Sequence, residues 1–187
     1  MNRRVLYDRA ATGTALEGFF GRVLDFVRNL HEHDPDRSVH VVGIRSRGDT
    51  LARRLDSWLR AAGIEPGVPG VLDITLYRDD FVPGRPQPLV SPSDIPFEVE
   101  GATILLIDDV FQTGRTIRAA LNQLSDFGRP RSVTLAVFID RRMRELPICP
   151  DIVGLTIELP PDERLQLLLD EDDGDEAITA VAREGGA

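Results

Sequence analysis

Four consecutive apolar residues, Ile104-Leu-Leu-Ile107, constrain this chain more than any other stretch. A strand that is apolar at every position needs cover on both faces, so the run predicts a central strand of a parallel sheet with helices packed above and below. It meets Asp108 and Asp109, then Thr113-Gly-Arg-Thr116, then Ile117, Ala120, Leu121 and Leu124 at helical spacing. That order reads as strand, loop and helix. Ligands of open α/β sheets sit at the carboxyl ends of the strands, where the two acids are expected. Side chains alternate along a strand, so adjacent acids can face one ligand only if the backbone turns, and the turn is predicted to begin near Asp109.

The residues after the acids suit a phosphate. Gly114 lets the backbone approach, Thr113 and Thr116 offer hydroxyls, free N–H groups gather at the helix start, and Arg115 adds a forked cation. An acid pair beside such a cradle implies a ligand with both hydroxyls and phosphate, such as a ribose 5-phosphate group. Taken apart, Asp-Asp can be an acid-capped loop and Thr113 a helix N-cap; the whole string in this order is far more specific. A second unit repeats the pattern: strand Val39–Ile44, loop Arg45-Ser-Arg-Gly48, and a helix from Asp49 to Ala62 closed by Gly63. Two arginines, a hydroxyl and a glycine at a strand end can hold a second anion.

The flanking sequence supplies the remaining elements. Thr14-Ala-Leu-Glu17 has the form of a capping box, and Leu16, Phe19, Phe20, Val23, Leu24, Val27 and Leu30 continue an apolar helical stripe. His31, His33 and His40 lack a metal-site pattern and read as solvated. Val71–Tyr77 alternates as a strand, and the proline-rich stretch beyond it predicts a loop, with a flexible lid over about 78–97. Strands are predicted at Ser132–Ile139, within Asp151–Glu158, and at Arg164–Glu171, then a turn and a short terminal helix from Glu176 to Arg183. The acids at 170–176 read as a solvated turn and helix start.

At 187 residues one domain, 1–187, is the natural expectation. No segment approaches a membrane span and no signal core follows the first residues, which points to the cytoplasm. Lone Cys149 reads as a small, partly buried hydrophobe. The net charge of -9 argues against a generally basic nucleic-acid binder, and all 22 basic residues are arginine, so any cationic role falls to Arg.

The segment Ile104–Thr116 closely resembles the phosphoribosyl pyrophosphate (PRPP) signature of type I phosphoribosyltransferases. Together with Val42–Gly48, Asp73-Ile-Thr-Leu-Tyr-Arg-Asp-Asp80 and Asp140-Arg-Arg-Met-Arg-Glu-Leu-Pro-Ile148, it resembles one branch, the PyrR family of uracil phosphoribosyltransferases and pyrimidine-operon attenuation regulators. The resemblance implies a type I phosphoribosyltransferase α/β fold: a parallel sheet flanked by helices, with a small hood from the chain ends. It implies joining of uracil to PRPP, giving UMP and pyrophosphate, with Mg²⁺ bound mainly through PRPP and no protein ligand assigned to it. Asp108 and Asp109 become the catalytic pair. Val110, Phe111, Gln112, Thr113, Gly114, Arg115 and Thr116 form the 5-phosphate loop; Arg45, Ser46, Arg47, Gly48 and Arg78 take the pyrophosphate. Arg141 and Met143 border the base, near Leu159-Pro160.

The family also suggests a homodimer or dimer of dimers. An alternative reading is an RNA-binding attenuator that senses UMP or UTP in the same pocket, with or without enzyme activity. Where RNA-binding members carry His, Arg and Lys, this chain has Met143, Cys149 and Leu155, and Glu17, Gly18 and Gly21 stand at polar or basic positions of the first helix. Arg144 survives as an RNA-binding candidate. Binding to the pyrimidine-operon leader is therefore disfavoured.

Overall fold

A computed structural model describes residues 3–75 and 92–182. Arg78 and most of the expected lid fall outside them. The elements run β1 Arg3–Tyr7, α1 Arg9–His33, β2 Val39–Ile44, α2 Arg47–Ala61, β3 Gly70–Leu72, β4 Thr103–Phe111, α3 Arg115–Phe127, β5 Ser132–Asp140, β6 Ile152–Thr156, β7 Glu163–Leu168, α4 Asp170–Asp173 and β8 Ala177–Ala182.

Five parallel strands form the main sheet in the order β3-β2-β4-β5-β6. The apolar run occupies its centre, and each of Ile104, Leu105, Leu106 and Ile107 is fully buried. Their side chains divide between two cores. Leu105 and Ile107 pack with Phe19 and Val23 of α1 and Leu51 and Leu55 of α2, whereas Ile104 and Leu106 pack with Ile117, Ala120 and Leu124 of α3. Burying such side chains contributes roughly 1.5–3 kcal/mol each, which makes the run the anchor of both layers. Because α2 and α3 cover opposite faces, the chain leaves the adjacent ends of β2 and β4 in opposite directions. That divergence opens a crevice at the switch point of the strand order.

The chain ends build a separate antiparallel sheet, β1-β8-β7, with Arg3 opposite Val181 and Glu163 opposite Ala182. This is the expected hood, but its last element is a strand instead of the predicted helix. The β-branched Ile178, Thr179 and Val181 suit a strand, and pairing on both edges with burial of Ala177, Ile178, Thr179 and Ala180 fixes it.

Other expectations are corrected locally. Helix α1 begins five residues before Thr14, with Asp8 as the N-cap accepting the Ala11 N–H, while the Thr14 hydroxyl donates to the Ala10 carbonyl. Strand β3 ends at Leu72: the Asp73 N–H goes to Ser93 Oγ at 2.8 Å and its carboxylate accepts the Thr75 N–H at 2.9 Å, a local turn that competes with pairing. Strand β4 runs past the acids to Phe111, so the turn begins three residues later than predicted. Cys149 is exposed. His40 is stacked on Phe97 with ring centroids 4.1 Å apart, and burial lowers its pKa, so it is not a solvated side chain.

Candidate active site at the switch point

The crevice holds a cavity of about 530 Å³. Asp108, Asp109 and the whole stretch Val110–Ile117 line it from β4 and α3, Arg47 from α2, Met143 and Glu145 from the segment after β5, and Arg164–Leu167 from β7 of the hood. The sheet therefore brings the acid pair, the Thr-Gly-Arg-Thr loop and one arginine of the second loop to a single space.

Asp108 still pairs with Val137 and Val110 with Ile139, so strand pairing resumes on the far side of Asp109. Each carboxylate accepts the next residue's N–H: Asp108 takes that of Asp109 at 3.0 Å, and Asp109 that of Val110 at 2.8 Å. This local bonding lets adjacent acids share one cavity without a break in the strand. Burial pushes the Asp108 carboxyl well above its usual range, and the neighbouring charge of Asp109 pushes it further. Burial also raises Asp109, opposed by the positive charge of Arg47 and by the N–H of Val110. Asp109 opens onto the cavity floor, where water reaches it from few directions, so its carboxylate is poorly solvated although part of its surface is exposed.

The loop after β4 turns at Gly114, the N-cap of α3, whose φ of 90° favours glycine. Thr113 Oγ1 accepts the Arg115 N–H at 3.3 Å, and the Thr113 carbonyl accepts the N–H groups of Glu145 and Leu146 at 3.0 and 3.2 Å. The loop is thus tied to the segment after β5. Arg115 is half exposed and its Nε lies 2.9 Å from Glu145 Oε2, a surface pair that is weak enough to yield to a dianion. Gln112 Nε2 lies 3.8 Å from Met143 Sδ, closing one corner of the cavity.

In the second loop the Arg45–Ser46 peptide is cis, and both residues are exposed. Arg47 alone of the four lines the cavity among the described residues. Gly48 is buried against β4: a Cβ there would lie 2.7 Å from the Ile107 carbonyl oxygen, so the close approach of loop and strand requires glycine.

Arg141 is not among the residues that line the cavity. It is 2% exposed and donates to the Glu163 carbonyl at 3.3 Å, a buried post between β5 and the hood. Arg144 pairs with buried Asp140 at 2.7 Å and lies over the Phe111 ring. The loop 141–144 is therefore built into the protein and is not a simple solvated rim.

Sequence reasoning missed Arg164 and Gln166. Their alternation with Leu165 and Leu167 was legible as a strand, but a polar strand face ordinarily meets water, and only the seating of the hood over the crevice brings Arg164–Leu167 to the cavity. The acids at 170–176 are likewise engaged: Arg3, Arg9, Arg47 and Arg54 pair with them. No group of three or more potential metal-binding side chains occurs among the described residues. An acid pair with an anion beside it suits a hard cation that keeps waters and substrate oxygens as most of its ligands.

The family model for the phosphoribosyl transferase domain matches residues 14–164. Among curated proteins, the chain is 46% identical to the Bifunctional protein PyrR of Elusimicrobium minutum, covering 82% of this chain and 86% of that one. It is 52% identical to the Bifunctional protein PyrR of Roseiflexus sp., covering 74% and 75%. Among solved structures, the hypoxanthine phosphoribosyltransferase of Trypanosoma cruzi is similar with a TM-score of 0.69 at 16% identity, covering 97% of each chain. The HGPRT-ase of Leishmania tarentolae in complex with GMP is similar with a TM-score of 0.66 at 15% identity, covering 98% and 99%. These two likenesses concern the fold.

Proposed function

The chain belongs to the PyrR family of type I phosphoribosyltransferases, and from that premise we propose that it transfers the phosphoribosyl group of PRPP to uracil, giving UMP and pyrophosphate in pyrimidine salvage. The observation that carries the reading is the convergence of the acid pair, the Thr113–Thr116 loop and Arg47 on one cavity. In the reaction N1 of uracil bonds to the anomeric carbon of the ribose, the bond from that carbon to pyrophosphate breaks, and the N1 proton leaves. Asp108 and Asp109 accept hydrogen bonds from the ribose hydroxyls and stabilise the positive charge that grows at the anomeric carbon.

Residues 110–116 hold the 5-phosphate, with Arg115 exchanging Glu145 for the ligand. Arg47, with the Arg45-Ser46 and Gly48 backbone beside it and Arg78, takes the pyrophosphate. Met143 borders the base together with Gln112, whose amide it touches. Asp108 and Asp109 would hold Mg²⁺ through its waters, and the ion, bound mainly with PRPP, would supply charge neutralisation of the leaving group. Residues 1–187 act as one domain, since both ends contribute to the hood that roofs the site.

The test is UMP formation from PRPP with Mg²⁺, run beside hypoxanthine, guanine and orotate as competing bases. Turnover with uracil in clear excess over the others is expected. Activity confined to a purine would reject the substrate, and no activity with any base would reject the reaction.

A further inference from the structure

The cavity wall includes an ion pair whose acid, Asp173, the reaction as described leaves without a task. Arg47 donates to Asp173 of α4 through Nε at 3.2 Å and Nη2 at 2.7 Å while still lining the cavity. A guanidinium presents five N–H groups in one rigid plane, so a carboxylate on the Nε–Nη2 edge leaves the Nη1–Nη2 edge for another anion. The two side chains are 22% and 18% exposed.

Asp173 is itself fixed: its Oδ2 accepts the Leu169 N–H at 3.0 Å, and its own N–H donates to the Leu169 carbonyl at 2.7 Å. Burial opposes its ionisation, but the hydrogen bonds from Arg47 and Leu169 outweigh it and hold the carboxyl below its usual value. The turn that carries Asp173 is clamped to α2 by Arg54, which reaches Glu171 at 2.9 and 2.6 Å and Glu176 at 2.8 Å. Of the arginines that grip this turn, Arg47 is the one that also lines the cavity.

We propose that Asp173 is a positioning residue for the leaving group: from the hood, it fixes the plane of the Arg47 guanidinium so that its remaining N–H groups face the pyrophosphate of PRPP. The proposal rests on the reading of residues 45–48 as the pyrophosphate loop. Two effects of removing the carboxylate oppose each other. Loss of a nearby negative charge favours an incoming anion. Release of Arg47 frees a long side chain that must be ordered again on binding, and the cavity holds other carboxylates, among them Asp109, on which its charge already acts. Pairing with them draws Arg47 off the pyrophosphate, so orientation outweighs repulsion.

Calorimetric titration with Mg²⁺-pyrophosphate and, separately, with UMP tests this on five proteins: wild type, Asp173→Asn, Asp173→Glu, Arg47→Ala and the double variant Arg47→Ala/Asp173→Asn. UMP lacks pyrophosphate, so its binding reports whether each variant retains a folded cavity. Asp173→Asn is expected to weaken pyrophosphate about tenfold, the scale of one charge-assisted contact, with UMP affinity nearly unchanged. Asp173→Glu should recover part of the loss, and in the Arg47→Ala background Asp173→Asn should cost nothing more.

Unchanged or tighter pyrophosphate binding by Asp173→Asn overturns the proposal, as does equal damage to UMP binding or a full further loss in the double variant. If Arg47→Ala itself binds pyrophosphate normally, the assignment of the loop falls. If Arg47→Ala is impaired and Asp173→Asn is not, the loop assignment stands and only the role of Asp173 falls.

Discussion

Asp108 and Asp109 are neighbours in sequence and differ in surroundings, and that difference gives each its own test. Burial and the adjacent charge raise the Asp108 carboxyl well above 3.8, so the folded protein keeps its proton at pH values where the unfolded chain has lost it. The stability this gives is complete at or below about pH 4 and is lost as pH rises through the raised value. Asp108→Asn retains the acceptor for the Asp109 N–H and removes the buried charge. The ligand-free variant is therefore expected to melt above wild type at pH 8, by about 2–4 °C for each kcal/mol recovered, with the gain gone at pH 4. A constant difference at both pH values would count against it. Asp109 faces the cavity, and Asp109→Asn is expected to lower turnover by about 10² through loss of one electrostatic contact with the transition state, measured under saturating PRPP and uracil. Unchanged turnover would remove Asp109 from the chemistry.

At the level of elements, the parallel layers were legible because their signals are local. Every residue of Ile104–Ile107 is apolar, and helix stripes follow a 3.6 period, so β2, α2, β4, α3 and β5 could be read with small errors at their ends. The hood was legible only through family resemblance. Ala177–Ala182 mixes β-branched residues with alanine, so its conformation is decided by partners at the two extremes of the chain. The acids at 170–176 look solvated until the arginines of β1, α1 and α2 are brought beside them, and no spacing in the sequence reports such distant pairs. Arg54 holds two of these acids, Glu171 and Glu176. Hydrogen bonds to Glu171 and, against the cost of burial, to Glu176 raise its pKa. Arg54→Met keeps the aliphatic stem, and is expected to cost about 1–2 kcal/mol in urea unfolding, with faster amide exchange confined to β7, α4 and β8. Protection of those elements equal to wild type would show that the clamp does not hold the hood.

Across the whole molecule, a net charge of -9 and the structural employment of the basic loop bear on RNA. Arg141 is buried and Arg144 is engaged with Asp140 and Phe111, so two of the cluster's three arginines are committed within the fold. Phosphate contacts supply most nonspecific affinity and steepen its dependence on salt. Filter binding to a pyrimidine-operon leader, with and without UMP at two salt concentrations, is expected to show weak binding with a shallow salt slope; tight, UMP-enhanced, sequence-selective binding would reverse this and favour the attenuator reading. No helix among the described residues is long and apolar enough to cross a membrane. The pairing of β1 with β8 reaches beyond equilibrium stability to the order of synthesis. Strand β1 is synthesised long before its partner and finds it only when residues 177–182 have followed, whereas the parallel layers can assemble from chain already made. A nascent chain can thus complete its central sheet while β7 still lacks its one neighbour, β8, and the roof over the acid pair closes after that sheet.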